Sequence, residues 1–161
     1  NNLKVGDEIS ARIMENPNFH LPKTPENIAM IANGTGIAPF LGMIQENILR
    51  KNISLFAGFR HDNDWVNSYR IFAEHQINQG QLEHFDFAFS REENKQYVMD
   101  LIRKNENYFA ELLAKNGTIM ICGSLKMQKD VEIILDEICQ KFLGKPLQHF
   151  IKNGQILSDC Y

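Results

Sequence analysis

A chain of 161 residues with 43% hydrophobic and 23% charged side chains has the length for one globular domain with a sizeable core and is too apolar for a disordered segment. Its net charge of -3 comes without a basic block, which argues against nucleic acid and against an anionic membrane surface as partners. Apolar runs such as 28–32 and 133–135 fall far short of the roughly 18 residues a membrane span needs, so a soluble module is expected.

In chain order, 7–14 reads as a strand and 15–24, with Asn16-Pro17-Asn18 and Pro22, as an irregular connection. Residues 25–27 mark a boundary. Beyond it, 28–32, 53–59, 85–89 and 118–122 are short apolar runs of the kind found in buried parallel strands, and 156–160 is a weaker fifth. Helical patterns fall between them, near 38–51, 67–79, 96–115 (as one helix or two) and 126–142. The alternation predicts an α/β fold: an open, doubly wound parallel sheet of about five strands with helices on both faces. Three cysteines, Cys122, Cys139 and Cys160, have no metal-type spacing and read as reduced thiols of a cytoplasmic protein. The chain opens on Asn1-Asn2 with a strand-like segment behind it, and is read as a piece of a longer protein.

Ligands of such sheets gather at the carboxyl ends of the strands, and the informative residues lie there. Gly34-Thr35-Gly36-Ile37-Ala38-Pro39-Phe40 follows the first buried run. Its glycines allow a tight turn and a close backbone approach to a pyrophosphate, and Pro39 suits the first helical turn, where a missing N–H costs nothing. Pro39 stands in place of the third glycine of a dehydrogenase fingerprint, and the second strand runs out through Gly58-Phe59-Arg60 with no carboxylate for a ribose hydroxyl. NADP is therefore favoured over NAD. Past the third strand, Ser90, Arg91, Lys95 and Tyr97 offer what a 2′-phosphate and an adenine need: a hydroxyl, a guanidinium fork, an ammonium and an aromatic face. With Glu92, Glu93 and Asn94 the same segment also suits a solvated loop, and the GTG turn alone also suits a purely structural strand-to-helix turn.

Taken together, GTGIAPF, Gly58-Phe59-Arg60, Phe89-Ser90-Arg91-Glu92 with Tyr97-Val98, Ile121-Cys122-Gly123 and the final Asp159-Cys160-Tyr161 resemble the ferredoxin-NADP reductase superfamily. Within it the likeness is to the NADP-binding domain of diflavin reductases, meaning NADPH-cytochrome reductases and the sulfite reductase flavoprotein. The resemblance implies that Gly34, Thr35 and Gly36 hold the pyrophosphate with Arg60 nearby, and that Ser90, Arg91, Lys95 and Tyr97 hold the 2′-phosphate and adenosine. It also implies that Cys122 and Gly123 border the nicotinamide, that Asp159 biases the charge there, and that Tyr161 stacks on the flavin. The implied activity is hydride transfer from NADPH to FAD, with electrons passing on to a sulfite reductase, cytochrome, ferredoxin, flavodoxin or fused FMN domain. Cys122 is expected to place the ring and not to act as a nucleophile.

Departures from the family pattern fall at Asn33, where relatives tend to have proline, at Ser124, where the diflavin relatives commonly carry aspartate, and at Met99, where glutamine is frequent. The flavin motif Arg-x-Tyr-Ser does not occur. Residues 1–24 are expected to be the end of a preceding FAD-binding barrel and 25–161 the NADP-binding domain, so that FAD would be held only with that preceding domain; a membrane anchor could likewise lie in an absent segment. Two alternatives stand beside this reading: a module that senses NADP(H) without redox chemistry, and an NADH-dependent reductase of the same superfamily.

Overall fold

The computed structural model describes residues 4–10 and 16–161. Five strands, β1 (Asn27–Asn33), β2 (Asn52–Phe59), β3 (His84–Phe89), β4 (Thr118–Gly123) and β5 (Ile156–Cys160), form one sheet in the order β3-β2-β1-β4-β5, with every pairing parallel. The helices are α1 (Ala38–Gln45), α2 (Asp64–Asn78), α3 (Val98–Lys104), α4 (Glu106–Ala114), α5 (Leu125–Ile138) and α6 (Leu147–Lys152). This is the doubly wound α/β arrangement that the alternating pattern predicts.

The apolar central strands β1, β2 and β4 are buried on both sides because helices cover both faces. On β1, Ile28, Met30 and Ala32 join Phe40 and Ile44 of α1 and Ala73 of α2 in one core. Its alternate residues Ala29 and Ile31 join Leu101 and Ile102 of α3, Phe109 and Leu113 of α4, and Val131 and Leu135 of α5 in the other. The strand order reverses at β1, whose neighbours are β2 on one side and β4 on the other. A doubly wound sheet opens its ligand crevice at that reversal.

Helix ends differ from the sequence expectation where side chains intervene. The helix expected to reach residue 51 stops at Gln45, because the buried Asn47 side chain donates to the carbonyls of Lys51 and Gln81 and accepts from the Lys51 amide, closing a turn instead. The second helix begins three residues earlier than expected, at Asp64, where Asn63 caps it by accepting from the Val66 amide. The segment 96–115 is two helices, α3 and α4. The last long helix passes into a π turn over Cys139–Leu143, and α6 follows; that helix is absent from the sequence reading. Of the strand expected over 7–14, residues 11–14 lie outside the described residues, and residues 7–10 are not in a strand.

Candidate functional site

At the carboxyl ends of the strands an open groove of about 410 Å³, within the range typical of ligand sites, runs across the β1/β4 reversal. Its floor begins with the turn after β1. Gly34 takes a left-handed conformation, φ +54°, with open space around it, and it leads with Thr35 into one 3₁₀ turn (Gly34–Ile37) ahead of α1. Gly36 lies underneath, where a Cβ would sit 2.3 Å from the carbonyl oxygen of Cys122. That contact is backbone against backbone, so only glycine lets the turn lie down on β4. Pro39 occupies the first turn of α1, as its missing N–H allows.

One wall comes from β2 and β3. Ser90 and Arg91 donate their amides to the carbonyls of Phe59 and Arg60, at 2.9 and 2.8 Å, so the ladder runs on past the strand ends and carries Arg60 and Ser90 to the groove. Tyr97 opens α3, its amide held by the Asp100 carboxylate at 2.7 Å, and lines the groove with Gln96 and Met99. Lys95 places its ammonium 5.2 Å above the Tyr97 ring. Arg91 and Lys95 themselves are exposed beside the groove. The loop is not simply solvated, since Glu92 accepts from the Asp62 amide and pairs with His61 at 3.3 Å.

The other wall is the start of α5. Ser124 caps this helix by accepting from the Met127 amide, and Asn33 clasps Ser124 by accepting from its amide at 3.0 Å and donating to its hydroxyl at 3.2 Å. Gly123 has φ +145° and a Cβ there would overlap the Asn33 amide oxygen, so this glycine makes the clasp possible. Lys126 and Asp130, paired at 2.8 Å across one helical turn, also face the groove. Tyr161 closes its end. The tyrosine amide donates to the Gly123 carbonyl at 3.0 Å, its carbonyl accepts from the Leu125 amide at 3.3 Å, and its hydroxyl lies 2.9 Å from the Thr35 hydroxyl.

The groove thus gathers Gly34, Thr35, Arg60, Ser90, Tyr97, Gly123 and Tyr161 from the residues singled out by sequence. Cys122 and Asp159 do not line it; they face each other in register on β4 and β5. Cys122 is 3% exposed, and burial first, then the nearby Asp159 and Cys160, push its thiol up to about 11. A thiol so placed stays protonated near neutrality and is a poor nucleophile. Sequence reasoning missed Gln96, Lys126, Met127 and Asp130. The signal for the last three was available, because the helix that follows β4 must start at the same crevice. Among the described residues no cluster of His, Cys, Asp or Glu could hold a metal, and no helix is long and apolar enough to cross a membrane.

Comparison with known proteins places this geometry. The profile of the oxidoreductase NAD-binding domain family matches residues 30–132, which include the turn after β1, the Ser90–Tyr97 rim and the start of α5. The sulfite reductase [NADPH] flavoprotein alpha-component of Salmonella arizonae is 33% identical over 154 residues, covering 90% of this chain and 25% of that protein. The NADPH oxidoreductase A of Dictyostelium discoideum is 36% identical over 149 residues, 88% of this chain and 23% of that protein. A second sulfite reductase flavoprotein alpha-component, from Buchnera aphidicola, is 36% identical over 145 residues, 84% of this chain and 24% of that protein. The chain spans about a quarter of the length of these relatives.

Proposed function

The chain belongs to the oxidoreductase NAD-binding domain family, and on that premise we propose that it is the NADPH-binding module of a flavin-dependent reductase. The observation that carries the reading is the single groove joining a glycine turn, a serine-tyrosine-arginine rim and an aromatic ring at its far end. Residues 25–161 act as the nucleotide domain, and residues 1–24 as the end of a preceding FAD-binding domain of the same polypeptide.

The groove suits a nicotinamide dinucleotide phosphate in its shape and in its donors. Gly34, Thr35 and Gly36 receive the pyrophosphate, since Gly34 is open above and Gly36 lets the turn sit low. Arg60 offers a guanidinium beside them. Ser90, Arg91 and Lys95 take the 2′-phosphate, and the half-exposed Tyr97 offers its face to the adenine. When bound, the nicotinamide supplies a hydride to the flavin. Tyr161 covers the flavin-facing end and yields its place to the ring. Gly123 lets Asn33 hold the start of α5 beside that ring, Cys122 lies behind the groove as a protonated thiol, and the Asp159 carboxylate on the next strand favours positive charge nearby.

The test is anaerobic mixing of the intact polypeptide with NADPH or NADH while flavin absorbance is followed. Rapid bleaching by NADPH and slow bleaching by NADH is the expected result. Equal rates would assign the module to NADH. Nucleotide binding without bleaching would make it a sensor of NADP(H).

A further inference from the structure

Thr35, in the turn at the floor of the groove, and Tyr161, at its end, lie 126 positions apart in sequence, yet their hydroxyls are 2.9 Å apart. This contact belongs neither to the turn nor to the aromatic cover as described above, and it joins them. The backbone on both sides of it is fixed. Tyr161 is tied by two main-chain hydrogen bonds to Gly123 and Leu125, while the Gly123 segment is clasped by Asn33 through Ser124 and seated on Gly36. With both backbones held, the ring of Tyr161 leaves its position by side-chain rotation, and among the described residues the hydroxyl contact is the one polar side-chain restraint on that rotation. Tyr161 as a whole residue is 69% exposed, so packing within this chain restrains it weakly.

We propose that Thr35 is a positioning residue for Tyr161: its hydroxyl latches the ring across the groove, and a dinucleotide must open this latch before its nicotinamide half can dock. The inference rests on the NADPH reading above and adds to it a cause for the cost of docking. Ring stacking charges every ligand that displaces the tyrosine, whatever its last side-chain atom. The latch adds a hydrogen bond that a phenylalanine at the same place would not have. Its size is that of one partly exposed hydrogen bond, roughly two- to fivefold in affinity.

The experiment is calorimetry on this chain with two ligands, NADP+ and 2′-phospho-ADP-ribose. Both carry the same pyrophosphate and 2′-phosphate, so any direct contact of Thr35 with phosphate cancels in the ratio of their affinities, and only the nicotinamide increment remains. Tyr161→Phe and Thr35→Val should each raise that ratio roughly two- to fivefold, and the double variant should raise it no further than either alone. Thr35→Ser, which keeps the hydroxyl, should restore the wild-type ratio. An unchanged ratio in both single variants, or gains that multiply in the double variant, would overturn the latch while leaving the nucleotide reading intact. Failure of both ligands to bind the wild-type chain would overturn the nucleotide reading and the latch together.

Discussion

Three glycines within nine residues, Gly34, Gly36 and Gly42, should answer the same substitution in three different ways. Gly36→Ala places a methyl carbon 2.3 Å from the Cys122 oxygen, 2.6 Å from its carbonyl carbon and 2.7 Å from the Gly123 Cα. The first is roughly 1 Å inside van der Waals contact, and all three atoms are backbone, so no side chain can turn away. The turn must lift from β4 or the two strands must part. An overpacked site costs about 1–3 kcal/mol, and here the upper end applies, at roughly 2–4 °C in melting temperature per kcal/mol for a chain of this size. Gly34→Ala meets no atom within 4 Å but keeps φ at +54°, a left-handed conformation that costs about 1–2 kcal/mol. Gly42, exposed inside α1 with nothing within 4 Å, should gain about 0.5–1 kcal/mol as alanine through helix propensity. Urea unfolding of the three variants reads the series directly. A Gly36→Ala chain as stable as Gly42→Ala would refute the close approach of turn and strand on which the site is built.

The clasp between β1 and α5 predicts a coupling: Asn33→Ala and Ser124→Ala should each destabilise the fold, and together by about 0.5–1.5 kcal/mol less than the sum. Additive losses in urea titrations would show that the two side chains act apart. Stability should also fall at alkaline pH. The thiols of Cys122 and Cys139 are pushed up from 9.0 to about 11, chiefly by burial. Between those values the unfolded chain loses protons that the folded chain keeps, so their contribution is complete below pH 9 and drains away as pH rises toward 11. Urea midpoints at pH 8 and 10.5 should differ, and Cys122→Ala with Cys139→Ala should flatten the difference. An equal decline in that double variant would place the cause elsewhere.

Much of the fold was legible because its strands are short, mainly apolar runs with helices between them, and even the more polar β5 begins and ends where the pattern put it. Helix limits were not, since they depend on single side chains reaching distant carbonyls. The buried Asn47 bonds to Gln81, 34 positions away, and no local pattern could show that it ends α1. At the site, residue chemistry singled out the glycine turn, Ser90 and Tyr97 without deciding between a binding site and a plain turn and loop, and the structure brings all three to one groove. Cys122 could be named but not its depth: that it lies behind the groove, against Asp159, follows from the β4/β5 register. Asn33 and Ser124 stood out only as two separate departures from the family pattern. In the structure they are one feature, each the hydrogen-bond partner of the other, and their pairing depends on the crossover that brings β4 beside β1.

The central claim is that the groove is built for a nucleotide bearing a 2′-phosphate, and calorimetric titration of this chain with 2′,5′-ADP and with 5′-ADP tests it most directly. Neither ligand carries nicotinamide, so neither Tyr161 nor a flavin enters the result. Tight binding of 2′,5′-ADP, weak binding of 5′-ADP, and loss of that preference in Arg91→Ala are expected, because a guanidinium bonded to phosphate is among the strongest charge-assisted contacts available to a side chain. Equal affinity for the two ligands would contradict the claim.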